Sequence, residues 1–252
     1  QGLRDEIHSW PTVNSCRVDQ EIVTEDYADP GFFDTELVNV YGLDALEYLL
    51  HYEGSANTCA PQVDINDTGT WAALGASEVT LRRAEYAEIL AVRIAADGDA
   101  LLAAWQDGFL ADFSTAGASG SSFGSAQDAV NELFAAMFYV ELVVKDVKLA
   151  VPAGISDECP TASCPEALES RWSGRSKENV IANLRGLRAL LLGGESAAAG
   201  IGFDDFLTEL GAPDLAAEME ADTDAAIVAV QAVPGTLEEA LAESQPDGDL
   251  PS

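Results

Sequence analysis

The stretch YGLDALEYLLH, residues 41–51, holds the side chains with the most chemical potential in this chain. Gly42, Asp44, Glu47 and His51 follow one another at helical spacing. At roughly 100° per residue, positions i, i+3 and i+7 share one stripe of a helix, so Asp44, Glu47 and His51 are candidate ligands for a divalent cation. The same letters also spell a helix start. Asp44 followed three residues later by Glu47 fits a capping box, with Leu43 and Tyr48 at the flanking staple positions. The two readings are compatible, because a capped helix end can also line a site. In either case Leu43, Leu46 and Leu50 are expected to set the apolar face, turning Glu47 toward the interior. There it needs backbone amides, an arginine such as Arg171 or Arg175, or a cation.

Other familiar chemistries are excluded by context. GSSFG, residues 120–124, matches the G-x-S-x-G pattern around Ser122, but that elbow needs a strand before it and a helix after it, and strand signals are scarce here. Asp64-x-Asn66-x-Thr68-Gly69 opens like a calcium loop, yet the twelfth position is Gly75 instead of a carboxylate. No H-E-x-x-H, phosphate loop or dinucleotide fingerprint occurs.

The elements that must position these residues read as helices. Residues 1–40 look irregular and loop-rich, broken by Trp10-Pro11 and Asp29-Pro30-Gly31. Helices are predicted over about 43–52, 77–107 with a weak point at Gly98, 125–149, 176–192 with Ser176 as N-cap and Gly193-Gly194 as stop, 203–210 and 213–232. Glu141 falls on the apolar stripe of its helix, between Met137 and Val144, which predicts a buried carboxylate or one paired with an arginine. STAGASGSSFGS, residues 114–125, reads as a flexible loop, and the tail beyond about residue 243 as weakly ordered. The fold class is all-α: a helical bundle over residues 1–252, with sub-bundles at about 1–150 and 151–252.

Composition narrows the partners. Forty-four acidic residues oppose twelve basic ones, a formal net charge of −32, and only Lys145, Lys148 and Lys177 are lysines. Such a surface repels nucleic acid and anionic lipid and suits a salty medium. The apolar stretches are too short to span a bilayer, so the chain does not read as an integral membrane protein. The four cysteines allow three pairings. CPTASC makes Cys159–Cys164 the natural local pair and leaves Cys16 with Cys59, an arrangement for an oxidising compartment, against the alternative of four reduced cysteines in a cytosolic protein.

GLDALEYLLH together with ESRWSGRSKENVIANLRGLRALLLGG resembles the imelysin family, also called the M75 peptidases, of bacterial periplasmic proteins and outer-membrane lipoproteins. Gly42 and Glu47 match the family's G-x-H-x-x-E, and Asp44 stands at the histidine position. Ser173, Gly174, Ser176, Asn183 and Gly186 match a later family stretch, in which Arg175 lies. The resemblance implies two helical bundles, a link to iron uptake, and a peptidase label. It also implies that the chain is short of helices at both ends, leaving the apolar faces near 81–105 and 125–149 incompletely covered. An oxygen-rich Asp44/Glu47 pair suits iron, manganese, calcium or magnesium better than catalytic zinc. The expectation is therefore a non-enzymatic, extracytoplasmic protein, periplasmic or attached to the outer membrane, that serves iron or other cation uptake by binding a metal ion, a metal complex or an uptake-system protein. The alternatives are a divergent metallopeptidase and an acidic scaffold for a basic partner protein.

Overall fold

A computed structural model describes residues 2–195 and 200–243. Among them every regular element is helical, as the periodicity predicts. The chain divides into two compact units, Gln1–Gly124 and Ser125–Ser252. The division falls in the Gly/Ser loop and not near residue 150. The reason is packing: Val144 shares a core with Leu168, Val180, Leu184 and Leu237, so its helix belongs with the later ones.

In the first unit the supposed loop-rich entry is largely helical: α1 (Leu3–Ile7), α2 (Ser15–Thr24) and α3 (Phe32–Thr35) precede α4 (Leu43–His51), α5 (Asp64–Asp67) and the long α6 (Thr70–Ala104). Asn14 caps α2 by accepting the Arg17 N–H, and Glu25, in the left-handed region, ends it. Helices α1, α2 and α4 pack on α6 around a core that includes Val18, Ile22, Tyr27, Tyr41, Tyr48, Tyr86 and Leu90. Tyr27 stacks on Tyr86 at 4.5 Å between ring centres. Helix α6 breaks at Gly75 (φ 74°, ψ 162°) and not at Gly98, whose residue stays helical. It then continues through a π-helical turn, Trp105–Phe109, into α7 (Leu110–Ser114).

The second unit holds α8 (Ala126–Met137), a π-helical segment (Val140–Ala150), α9 (Ser176–Leu192), α10 (Phe203–Glu209), α11 (Pro213–Ala232) and α12 (Leu237–Glu243). The wider turn of the π-helical segment changes which side chains face inward. Val144 and Lys148 are buried, whereas Glu141 is exposed and pairs with Lys145 at 3.2 Å, correcting the expectation of a buried or arginine-paired carboxylate. Helix α9 keeps its predicted limits. Arg175 occupies the N-cap position, Ser176 is the first helical residue, and Gly193 (φ 69°) is the left-handed stop. The acidic tail expected to be weakly ordered lies outside the described residues.

Both disulfides form as expected, Cys16–Cys59 and Cys159–Cys164. The first ties α2 to the loop after α4; the second closes the CPTASC loop and packs on Val151. Among the described residues no single helix is long and apolar enough to cross a membrane.

Candidate functional site

Helix α4 begins without a side-chain cap. Its N-cap is Gly42, so Asp44 and Glu47 are second and fifth helical residues and the capping box is not made. What fixes this start is the backbone. Gly42 has φ 89° and ψ −176°, a conformation essentially reserved for glycine. It lies against Ser9: a methyl group on Gly42 would collide with the Ser9 hydroxyl and meet Glu6 O and Ser9 Cβ at 3.0 Å. Ser9 is buried and donates to Tyr41 O at 2.7 Å, and its hydroxyl lies 3.4 Å from Asp44 Oδ2. The first residue pair of the motif is therefore held by a segment more than thirty residues upstream.

The inner face of α4 is Ala45, Tyr48 and Leu49, and not the expected Leu43, Leu46 and Leu50. Leu43 and Leu50 are 44 and 61% exposed, Leu46 is half-buried, and His51 is exposed. Asp44 and Glu47 are half-buried. The cause of this rotation is Tyr48. Its hydroxyl donates to the Asp19 carboxylate at 2.9 Å, and Asp19 also accepts the Thr58 amide and hydroxyl at 2.8 and 2.9 Å. Asp19 has no exposed surface, and burial pushes its carboxyl above the usual range, opposed by these donors and by Arg83 at 3.8 Å. Arg83 lies against the rings of Tyr48, Tyr52 and Trp71 and donates to Gly54 O and Ala56 O at 2.7 and 2.9 Å. A buried hydrogen bond to an ionisable group outweighs the burial of one exposed leucine, and it selects the rotation of α4.

On the other side of α1, Arg93 bridges Glu6 at 2.8 Å and Asp97 at 2.8 Å. This pair holds α1, and with it Ser9, near α6. Ser9, Asp19 and Arg83 were not singled out from the sequence. A signal existed for two of them: Asp19 follows Val18 in the buried stripe of α2, and Arg83 interrupts the Val79–Tyr86–Leu90 stripe of α6.

The residues of the later motif lie in the second unit. Ser173 Oγ donates to Ser170 O at 3.4 Å, Gly174 takes φ 66°, and Arg175 is exposed, 3.9 Å from Glu178. Arg171 lies over the Trp172 ring at 4.1 Å. Asn183 accepts a hydrogen bond from buried Lys148 at 3.0 Å, and Lys148 also pairs with buried Glu169 at 2.7 Å. Ser176 donates to Glu238, and Lys177 reaches Val233 O at 3.2 Å, so α9 is anchored to the chain around α12. Within this unit the motif builds the entry and the buried polar centre of the bundle. Ser122 of the GSSFG stretch donates its amide to Asp112 Oδ1 at 2.8 Å in a structured loop, with no strand beside it among the described residues.

The donor chemistry of α4 is limited. Among the described residues no three His, Cys, Asp or Glu side chains are grouped to hold a metal ion. The three candidates Asp44, Glu47 and His51 are thus not assembled into a closed ligand set, and Asp44 with Glu47 offers two carboxylates from a single helix. That is a fraction of the six to eight oxygens calcium takes, and it lacks the nitrogen-rich set of catalytic zinc.

The family profile of imelysin, Peptidase M75, matches residues 3–250. The chain belongs to the imelysin family. No curated protein and no solved structure matches it at a significant level. The conformation of Gly42 is explained by its backbone and its contact with Ser9.

Proposed function

We propose that this imelysin is a non-catalytic, extracytoplasmic binding protein that serves the uptake of iron or another cation. In this reading the outer face of α4 is the contact surface. The observation that carries it is the rotation of α4: Tyr48 and Leu49 face the core, while Asp44 and Glu47 are half-buried on a backbone that Gly42 and Ser9 fix. A two-oxygen pair of this kind takes an aqua ion, a metal complex or a cationic group of an uptake partner, each of which completes its own coordination or pairing. Two disulfides in one chain support an oxidising compartment. The absence of histidine from the motif speaks against a zinc-activated water and so against peptidase activity.

The test is elemental analysis and peptide hydrolysis on the same preparation, purified without chelator. Iron, manganese or calcium above the level of Asp44→Asn/Glu47→Gln, with no hydrolysis of a casein or insulin substrate, supports the proposal. Hydrolysis that the double variant abolishes would overturn it in favour of a divergent metallopeptidase.

A further inference from the structure

The end of α6 and the turn after it carry an apolar face with nothing to do in the α4 site. Leu102, Trp105, Phe109 and Leu110 are 54, 51, 41 and 56% exposed. Leu102, Trp105 and Phe109 follow one another at helical spacing, and Leu110 adjoins them. Trp105 meets Phe109 edge-on at 4.8 Å between ring centres, and Phe109 and Phe113 both contact Phe123, at 6.1 and 5.6 Å. The loop that carries Phe123 is tied back: Ser121 donates to Asp112 O at 3.1 Å, Ser122 N–H to Asp112 Oδ1 at 2.8 Å, and Gly117 N–H to Phe123 O at 3.0 Å. The segment expected to be a flexible loop therefore buttresses an aromatic platform, and its bonds hold the Asp112 carboxyl below the usual range.

The charge around this platform is one-sided. From residue 94 to the end of this unit at residue 124 the sequence has no lysine, arginine or histidine, while Asp99, Asp107 and Asp112 lie on or beside the platform in sequence. Exposed aromatic patches mark interaction surfaces, and an apolar stripe flanked by carboxylates complements a helix with an apolar face and basic edges. We infer that this platform is the docking site for a cationic amphipathic helix of a partner protein. The inference is independent of the α4 face, and its test leaves α4 untouched.

The probe is a fluorescent Leu/Lys amphipathic peptide of about 18 residues, long enough for five helical turns, measured by anisotropy against the full chain. Three results are expected together. Binding weakens as salt rises. Leu102→Ser/Leu110→Ser and Trp105→Ala each weaken it about tenfold or more, the scale of a lost interface anchor. Asp99→Asn/Asp107→Asn weakens it chiefly at low salt. Leu102 and Leu110 are more than half exposed, so the Leu102/Leu110 variant keeps the reasoning testable should Trp105→Ala disturb the turn; circular dichroism checks each fold. Equal affinity for a sequence-scrambled peptide of the same charge would overturn the inference, leaving non-specific attraction. So would wild-type dimerisation in light scattering that Leu102→Ser/Leu110→Ser abolishes, because the occupant would then be a second copy.

Discussion

Gly42→Ala isolates the contact that positions the α4 site. Two costs arise, and a second glycine separates them. Placing a β-carbon at φ 89°, ψ −176° costs about 1–3 kcal/mol for the backbone alone. The new methyl also meets Ser9 Oγ, Ser9 Cβ and Glu6 O, so Ser9 must move and its buried hydroxyl loses Tyr41 O, a further cost of about 1–3 kcal/mol. Gly75 supplies the reference: it has the same type of backbone (φ 74°, ψ 162°) in the same unit, and a methyl group there would have no atom within 4 Å. Gly75→Ala should therefore show the first cost and Gly42→Ala both, a total of about 4 kcal/mol. Urea unfolding followed by far-UV circular dichroism measures the difference, and Ser9→Gly in the Gly42→Ala background should recover part of it by removing two of the three colliding atoms. If Gly42→Ala costs no more than Gly75→Ala, or if Ser9→Gly recovers nothing, the Ser9 contact does not hold the start of α4.

Three further outcomes follow from the buried groups and cross-links. Burial raises the Glu21 carboxyl from 4.5 to about 7, with Arg17 opposing and Glu36 and Asp26 reinforcing the shift. A carboxyl raised on folding contributes stability below pH 4.5 that is lost as pH climbs through 7, so the wild type should lose up to about 3 kcal/mol relative to Glu21→Gln between pH 4.5 and 8; parallel urea midpoints for the two proteins across that range would contradict this. Lys148→Met removes the ammonium that pairs with buried Glu169 and should destabilise the second unit by about 3 kcal/mol, while Lys148→Met/Glu169→Leu recovers most of the loss in thermal melts. Replacing Cys16 and Cys59 with serine opens a cross-link over 43 residues and should cost about 4 kcal/mol in the chain-entropy description, against about 2 kcal/mol for Cys159 and Cys164, which span 5; equal losses would contradict the loop-length reasoning.

Much of the helical framework is legible in the sequence because it is written in local signals. Helix α9 announces itself through Val180, Ile181, Leu184 and Leu191 at helical spacing and stops where Gly193 supplies a left-handed residue. The disulfide pairing follows from one short spacing and an even count. What local signals missed was decided by distant partners. The three leucines of α4 suggested a face that the structure reverses, because Asp19 on α2 draws Tyr48 inward across 29 residues of sequence. The Glu141 position depended on an α-helical period that the π-helical segment does not keep. Helices α1 to α3 are short, and the turn formers between them masked their periodicity. Of the later motif residues, Asn183 proved to be a partner of buried Lys148, a pairing that no spacing within the motif encodes.

Calorimetric titration of the full chain with Fe2+, Mn2+ and Ca2+ aqua ions tests the central claim most directly, because a chain of net charge −32 collects cations everywhere and only matched variants separate a site from that background. Asp44→Asn/Glu47→Gln should abolish a saturable binding event seen with at least one of these ions. Asp214→Asn/Glu218→Gln, an equal charge change at two exposed positions of α11, should leave that event intact. Equal losses in both variants, or a saturable event that survives Asp44→Asn/Glu47→Gln, would contradict the assignment of the α4 face as the cation-contacting surface.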